Sequence, residues 1–261
     1  MDLTASPPPR TLKRDRTVVL AVLAFLSFFS WLFIFYEARG MNNGTAMCCA
    51  VPSMRAWGLD DFFLIFIMWA VMMMAMMIPS ATPMILMFAS VNRKRREKEN
   101  PFVATWIFLL GYITVWTGFS MLATLVQWYL HAKALLSSMM VSTNSLLGGF
   151  VLVVAGLFQL TPLKDRCLSY CQTPLSFLMT QWREGTWGTF VMGLRHGIFC
   201  TGCCWALMAL LFVAGVMNLF WIALISIFVL LEKIAPKYFY INRVSGLLLI
   251  LWGIFMLTGK F

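Results

Sequence analysis

Apolar residues in this chain come in long runs rather than in the one-sided stripes of a soluble helical protein or the alternation of a half-buried strand. Several runs reach the ~20 residues that cross a bilayer core, and polar, often basic, segments separate them. The pattern predicts seven transmembrane helices, at about 17–36, 62–89, 102–129, 144–160, 187–216, 219–231 and 244–257. Pro79 and Pro83 fall inside the second and are expected to bend it, leaving a carbonyl near Ala75 open to a ligand or to another helix. Met217-Asn218 interrupts the last long run and is expected to make a tight turn. The stretch 161–184 is more polar and reads as a cytoplasmic connection. Residues 1–16, with three consecutive prolines and a basic cluster, read as a short disordered cytoplasmic tail, and 17–261 as a single transmembrane helical domain. No small-residue cleavage pattern follows the first apolar run, so it reads as a retained helix and not as a signal peptide.

Charge then sets the orientation. The net charge is +10, and a cytoplasmic N-terminus places about fifteen of the 20 Lys and Arg on cytoplasmic segments and four (Arg39, Arg55, Lys133 and Lys260) outside. That is the asymmetry of the positive-inside rule. Basic residues confined to short connections explain the charge better than nucleic acid does. With 61% hydrophobic residues and no polar stretch long enough for a soluble domain, the chain reads as an all-α, polytopic transmembrane bundle whose partner is the lipid bilayer.

The chemistry concentrates in 195–205, Arg-His-Gly-Ile-Phe-Cys-Thr-Gly-Cys-Cys-Trp. His196, Cys200, Cys203 and Cys204 stand at i, i+4, i+7 and i+8, close to one helical face. Imidazole and thiolate are the ligands of copper(I), zinc and iron–sulfur centres, and Arg195 beside them is expected to favour thiolate. A lone buried cysteine is ordinarily a small hydrophobe. Three of them with a histidine in ten residues point to a metal site instead.

Two further groups carry soft donors. Met72, Met73, Met76 and Met77 stack at i, i+4 just before Pro79, and thioether sulfur suits copper(I) without deprotonation; against that, methionine is a flexible filler of packed bundles. Cys167 and Cys171 share a helical face by their spacing and are suited to exchanging a soft metal or to cycling as a dithiol. Alternatively their segment is an interfacial turn whose Lys164 and Arg166 grip lipid headgroups. Cys48-Cys49 reads as an incidental pair, His131 as an interfacial residue and Glu232-Lys233 as an interfacial pair. Gly111 and Gly148-Gly149 are expected to let helices approach closely. No phosphate-binding glycine loop, His-Glu-x-x-His or Cys-x-x-Cys-His is present, which leaves no nucleotide cofactor. Scarce acidic residues in the spans argue against a carboxylate proton relay.

Trp69 through Pro79, Gly111-Tyr112, the ordered residues from Gln159 to Cys171, the stretch from Arg195 to Trp205, Gly215-Val216-Met217-Asn218 and Glu232-Lys233 together resemble a bacterial family described as predicted metal-binding integral membrane proteins, a domain of unknown function. The resemblance runs from the second helix onward and implies a multi-helix inner-membrane protein with a metal site. The resulting expectation is a protein of the bacterial inner (cytoplasmic) membrane that binds a soft transition metal, copper favoured over zinc. The proposed ligands are His196, Cys200, Cys203 and Cys204, with Met72, Met73, Met76 and Met77 as further ligands or stepping stones and Cys167/Cys171 as the exchange pair. Transport, storage or delivery to a membrane oxidase all fit, with a metallochaperone or another membrane subunit as partner. The alternatives are a membrane redox enzyme and a scaffold subunit; a binding role is favoured over an enzymatic one.

Overall fold

The computed structural model describes residues 9–43, 58–96, 104–133, 145–234 and 239–258. Among the described residues every regular element is a helix: α1 Pro9–Asn43, α2 Leu59–Arg96, α3 Thr105–Ala132, α4 Ser145–Gln159, α5 Pro162–Gln172, α6 Pro174–Gln181, α7 Gly185–Ala209, α8 Leu211–Ala214, α9 Leu219–Ile234 and α10 Phe239–Leu257. The expected count of seven is not met. The segment 161–184 is not a connection but two short helices, each opened by a proline whose missing N–H costs nothing in the first turn. Thr161 caps α5 by accepting from the Lys164 N–H at 3.4 Å. The expected fifth helix breaks at Leu210 into α7 and α8. Residues 9–16, for which composition predicts disorder, belong to α1, as good helix formers following a proline at the first position allow. Cys48 and Cys49 lie outside the described residues.

Four helices are long and apolar enough to cross a membrane, at Arg16–Gly40, Leu59–Arg95, Thr105–Ala132 and Gly185–Ala214. The pair Leu146–Gln159 and Pro162–Gln172, bent by 64°, makes a fifth if taken as one broken span. Phe25, Phe28, Phe29 and Leu32 of α1, and Leu247, Leu248 and Leu251 of α10, are exposed. Contiguous outward apolar faces of this kind are rare on soluble monomers.

The long helix α2 runs through the interior. Met68, Trp69, Met72, Met73, Met76, Met77 and Ile78 are fully buried on it, while Leu59, Phe63 and Ile67, at i, i+4 and i+8 near its start, are exposed. Pro79 removes the N–H that would bond the Ala75 carbonyl, and the indole N–H of Trp31 on α1 takes its place at 3.1 Å. The next two carbonyls are also met from neighbouring helices: Met76 by Ser226 Oγ of α9 at 3.5 Å and Met77 by Tyr112 Oη of α3 at 3.2 Å. The opening expected from Pro79 is therefore used by other helices.

Two helix pairs come together backbone to backbone. At the α3–α7 crossing, a Cβ on Gly193 would lie 2.1 Å from the Phe108 carbonyl oxygen and one on Gly111 would lie 2.3 Å from that of Phe190. Gly149 of α4 meets Gly253 of α10 in the same way, with 2.9 Å from its Cβ position to the Gly253 carbonyl oxygen, whereas Gly148 has ordinary space. Close approach was thus legible at Gly111 and Gly149.

At one end of the bundle, α5 is fastened to α9 by a buried ion pair. Lys164 Nζ lies 2.5 Å from Glu232 Oε1, with both side chains shielded. The same ammonium donates to Gln159 Oε1, and Gln172 Nε2 donates to the Glu232 carbonyl at 2.7 Å. Lys164 therefore grips no headgroup, and Glu232 pairs with it rather than with its neighbour Lys233: adjacent residues on a helix point about 100° apart.

Two measurements follow from this packing, both by unfolding in detergent. Gly193→Ala is expected to lower stability by more than about 2 kcal/mol through overpacking, whereas Gly118→Ala, which meets nothing within 4 Å, is expected to be neutral or to stabilise by up to about 1 kcal/mol. Glu232→Gln or Lys164→Met alone is expected to cost about 3–5 kcal/mol by stranding a buried charge, with most of that recovered when both are replaced by apolar residues.

Candidate metal centre

α7 delivers the predicted motif to the interior. His196, Cys200, Cys203 and Cys204 are all buried, none more than 2% exposed, on the side of α7 that meets α3 and α5. The Cys203 thiol donates to the Cys200 carbonyl at 3.1 Å, and Cys203 Sγ stands 3.2 Å from Cys204 Sγ. Cys200 and Cys204 stand one turn apart on the same face, their side chains close enough to interact. Cys171 enters from α5 and is within reach of both Cys200 and Cys203. Four thiols from two helices thus form one cluster, and all five described cysteines are free thiols.

Cys167 and Cys171 part company. Cys171 is buried in the cluster, whereas Cys167, one turn earlier on α5, is half-buried and occupies the space beside Gly202, its Sγ 3.2 Å from where a Cβ there would stand. The pair is therefore not a surface dithiol but one thiol at the rim and one inside.

Three residues outside the predicted ligand set complete the surroundings of Cys200. The Tyr112 hydroxyl lies 3.1 Å from Cys200 Sγ while donating to the Met77 carbonyl. Lys233 Nζ lies 3.0 Å from the same sulfur and donates to Ser80 Oγ at 2.8 Å. Ser80 in turn donates to the Met77 carbonyl at 2.9 Å. So α2 and α7 are linked through Tyr112 of α3 and Lys233 of α9. The cation beside the thiols is Lys233, not Arg195, whose guanidinium is turned to Gln181. A helix turn explains this: Arg195 is five residues from Cys200, about 140° round the helix. The pairing of a residue 33 positions away has no signature in local spacing; only the presence of a lysine at the end of an apolar run hinted at it.

His196 sits in an aromatic cage. Its ring stacks on Tyr112 at 5.4 Å and Phe108 at 6.0 Å, with Phe177 edge-on at 5.7 Å. Neither ring nitrogen has a hydrogen-bond partner among the described residues, which is costly for a buried imidazole and leaves both nitrogens free for a ligand. Met72, Met73, Met76 and Met77 are fully buried. Within the hydrogen-bonded cluster described above, α2 takes part through Met77 and Ser80, and Met72 and Met73 stand a turn farther along.

The donor set has the chemistry of a soft-metal site: thiols, thioethers and an unpaired imidazole, with no carboxylate at the sulfurs. Among the described residues, no group of three or more histidine, cysteine or carboxylate side chains is arranged to hold a metal ion. The one close sulfur–sulfur contact among them is that of Cys203 with Cys204, at 3.2 Å.

Among curated proteins and among solved structures, nothing matches this chain. A family model does match: that of PpoB2, described as a copper chaperone, over residues 66–256. The match begins within α2 ahead of its methionines, takes in α3 to α9 with the whole thiol cluster, and ends in α10. It replaces the unknown function implied by the sequence resemblance with copper handling, and since it spans most of the chain, this protein belongs to the PpoB2 copper-chaperone family.

Proposed function

We propose that this protein is a membrane-embedded copper(I) carrier whose cargo is held by the paired thiols of α5 and α7. The observation that supports this most directly is the cluster of Cys171, Cys200, Cys203 and Cys204, four free thiols, each close to at least two of the others and shielded from water. A thiol cluster without carboxylates favours a soft ion, and the copper-chaperone family narrows the ion to copper.

In this reading the apolar helices lie in the bacterial inner membrane with the N-terminus on the cytoplasmic side, a placement that the distribution of Lys and Arg supports. Cys200 is the central ligand, because it is the sulfur that Cys171, Cys204, Tyr112 and Lys233 all approach. Cys203 and Cys204 supply the alternative pair on α7. His196 is an auxiliary ligand, supported by its two unpartnered nitrogens. Cys167, at the rim beside Gly202, is the exchange point with a metallochaperone or membrane subunit, and passes the ion to Cys171 one turn inward. Met76 and Met77, with Met72 and Met73 beyond them, extend the soft path along α2. Thiolate-to-thiolate transfer keeps the ion bound throughout, so free copper is never released into an apolar medium that cannot solvate it.

The experiment is anaerobic purification in detergent followed by elemental mass spectrometry. Near-stoichiometric copper is expected in the wild type after loading with copper(I), and Cys200→Ala combined with Cys203→Ala is expected to lower it several-fold at unchanged folding. Equal copper in the two proteins would remove the thiols from the site.

A further inference from the structure

Lys233 is the last basic residue of α9 and is 6% exposed. Burying an ammonium in an apolar bundle is costly unless a negative group meets it. The adjacent carboxylate does not serve, because Glu232 is held by Lys164 at 2.5 Å. The sulfur of Cys200 lies 3.0 Å from Nζ, with the Tyr112 hydroxyl against that same sulfur and Cys203 and Cys204 within the next turn of α7. The ammonium is held there by Ser80 Oγ at 2.8 Å, so it is a fixed charge at the thiol cluster rather than a side chain passing by.

Resting on the copper(I) reading above, we propose that Lys233 is the charge-balancing residue of the thiol cluster and makes it selective for thiophilic monovalent cations over divalent ones. The reasoning is a count of charges in a medium that penalises any excess. A monovalent ion on two thiolates carries one net negative charge, which one ammonium cancels. A divalent ion on the same two thiolates is already neutral, and Lys233 then leaves an unbalanced positive charge. A divalent ion needs a third thiolate to restore neutrality, yet no set of three donors closes on an ion among the described residues. Lys233 thus acts through the cluster's net charge without being a ligand. Removing it reverses the preference: a bis-thiolate site without the ammonium is neutral with a divalent ion and negative with a monovalent one.

The test is the ratio of copper(I) to zinc(II) affinity, measured anaerobically on the detergent-solubilised full chain by competition with a copper(I) chelator and with a zinc indicator. Lys233→Met is expected to weaken copper(I) binding by about tenfold or more, about 1.4 kcal/mol, while zinc(II) binding holds or rises; Lys233→Arg, which keeps the charge, is expected to preserve the wild-type ratio. A merely structural role for Lys233 would weaken both ions together, and an unchanged ratio in Lys233→Met overturns the inference while leaving the copper reading intact. Should Lys233→Met fail to accumulate, the wild type decides: near-stoichiometric silver(I) with no retained zinc(II) supports monovalent selectivity, and stoichiometric zinc(II) overturns it. A wild type that takes up neither copper(I) nor silver(I) overturns the copper reading and this inference with it.

Discussion

Two ammonium groups lie inside this bundle, and the helices can close only where each meets a partner. An uncompensated charge in an apolar interior costs several kcal/mol even after relaxation, more than most single packing contacts return. Lys164 solves this with Glu232, and Lys233 with Cys200 and Ser80. Both solutions run through the end of α9, where consecutive residues point to different sides. One side holds α5, with its cysteines; the other holds α2 and α7. The two helices that supply the thiols, α5 and α7, are therefore tied to α9 and α2 by polar contacts at one level of the molecule.

A second polar device sits on α2 at the same depth. Pro79 frees the Ala75 carbonyl in a buried region without water to satisfy it, and the two carbonyls that follow also draw donors from other helices. Donors from α1, α3 and α9 each take one of three successive carbonyls. The Tyr112 hydroxyl belongs to both systems, since it satisfies the Met77 carbonyl and touches Cys200. The proline interruption and the thiol cluster are joined at that atom, which links the methionine-rich turn of α2 to the cysteine-rich turn of α7.

What the sequence revealed follows the reach of its signals. Cys200, Cys203, Cys204 and His196 share a helical face, and helical periodicity is enough to see it. The consequence of Pro79 was legible because a missing N–H leaves a defined carbonyl behind. The region 161–184 was misread, because a polar segment that buries Lys164 against a distant glutamate looks, in isolation, like a surface connection. Thr161-Pro162, a capping residue ahead of a proline, was the local sign of a helix start there. Arg195 was assigned the role of cation by adjacency, yet adjacency on a helix means divergence; Lys233 fills that role from a different helix. Cys171 looked like half of a pair with Cys167 and proved instead to be the fourth member of the cluster, a contact that depends on the bend between α4 and α5.

The glycines of the α3–α7 crossing also fix a register. Moving α7 along α3 by one turn, so that Gly197 replaced Gly193 against the Phe108 carbonyl, would bring Thr201 to the place of Gly197, where a Cβ already stands 2.9 Å from the side chain of Val115 and 3.2 Å from the Tyr112 carbonyl oxygen. Moving it the other way would bring Thr189 to the place of Gly193, against a carbonyl oxygen only 2.1 Å from any Cβ. Each helix has one seat on the other, as a key has in its ward. Sliding of α7 along α3 by a helical turn is closed in both directions, so the depth at which α7 carries its thiols is set by this crossing.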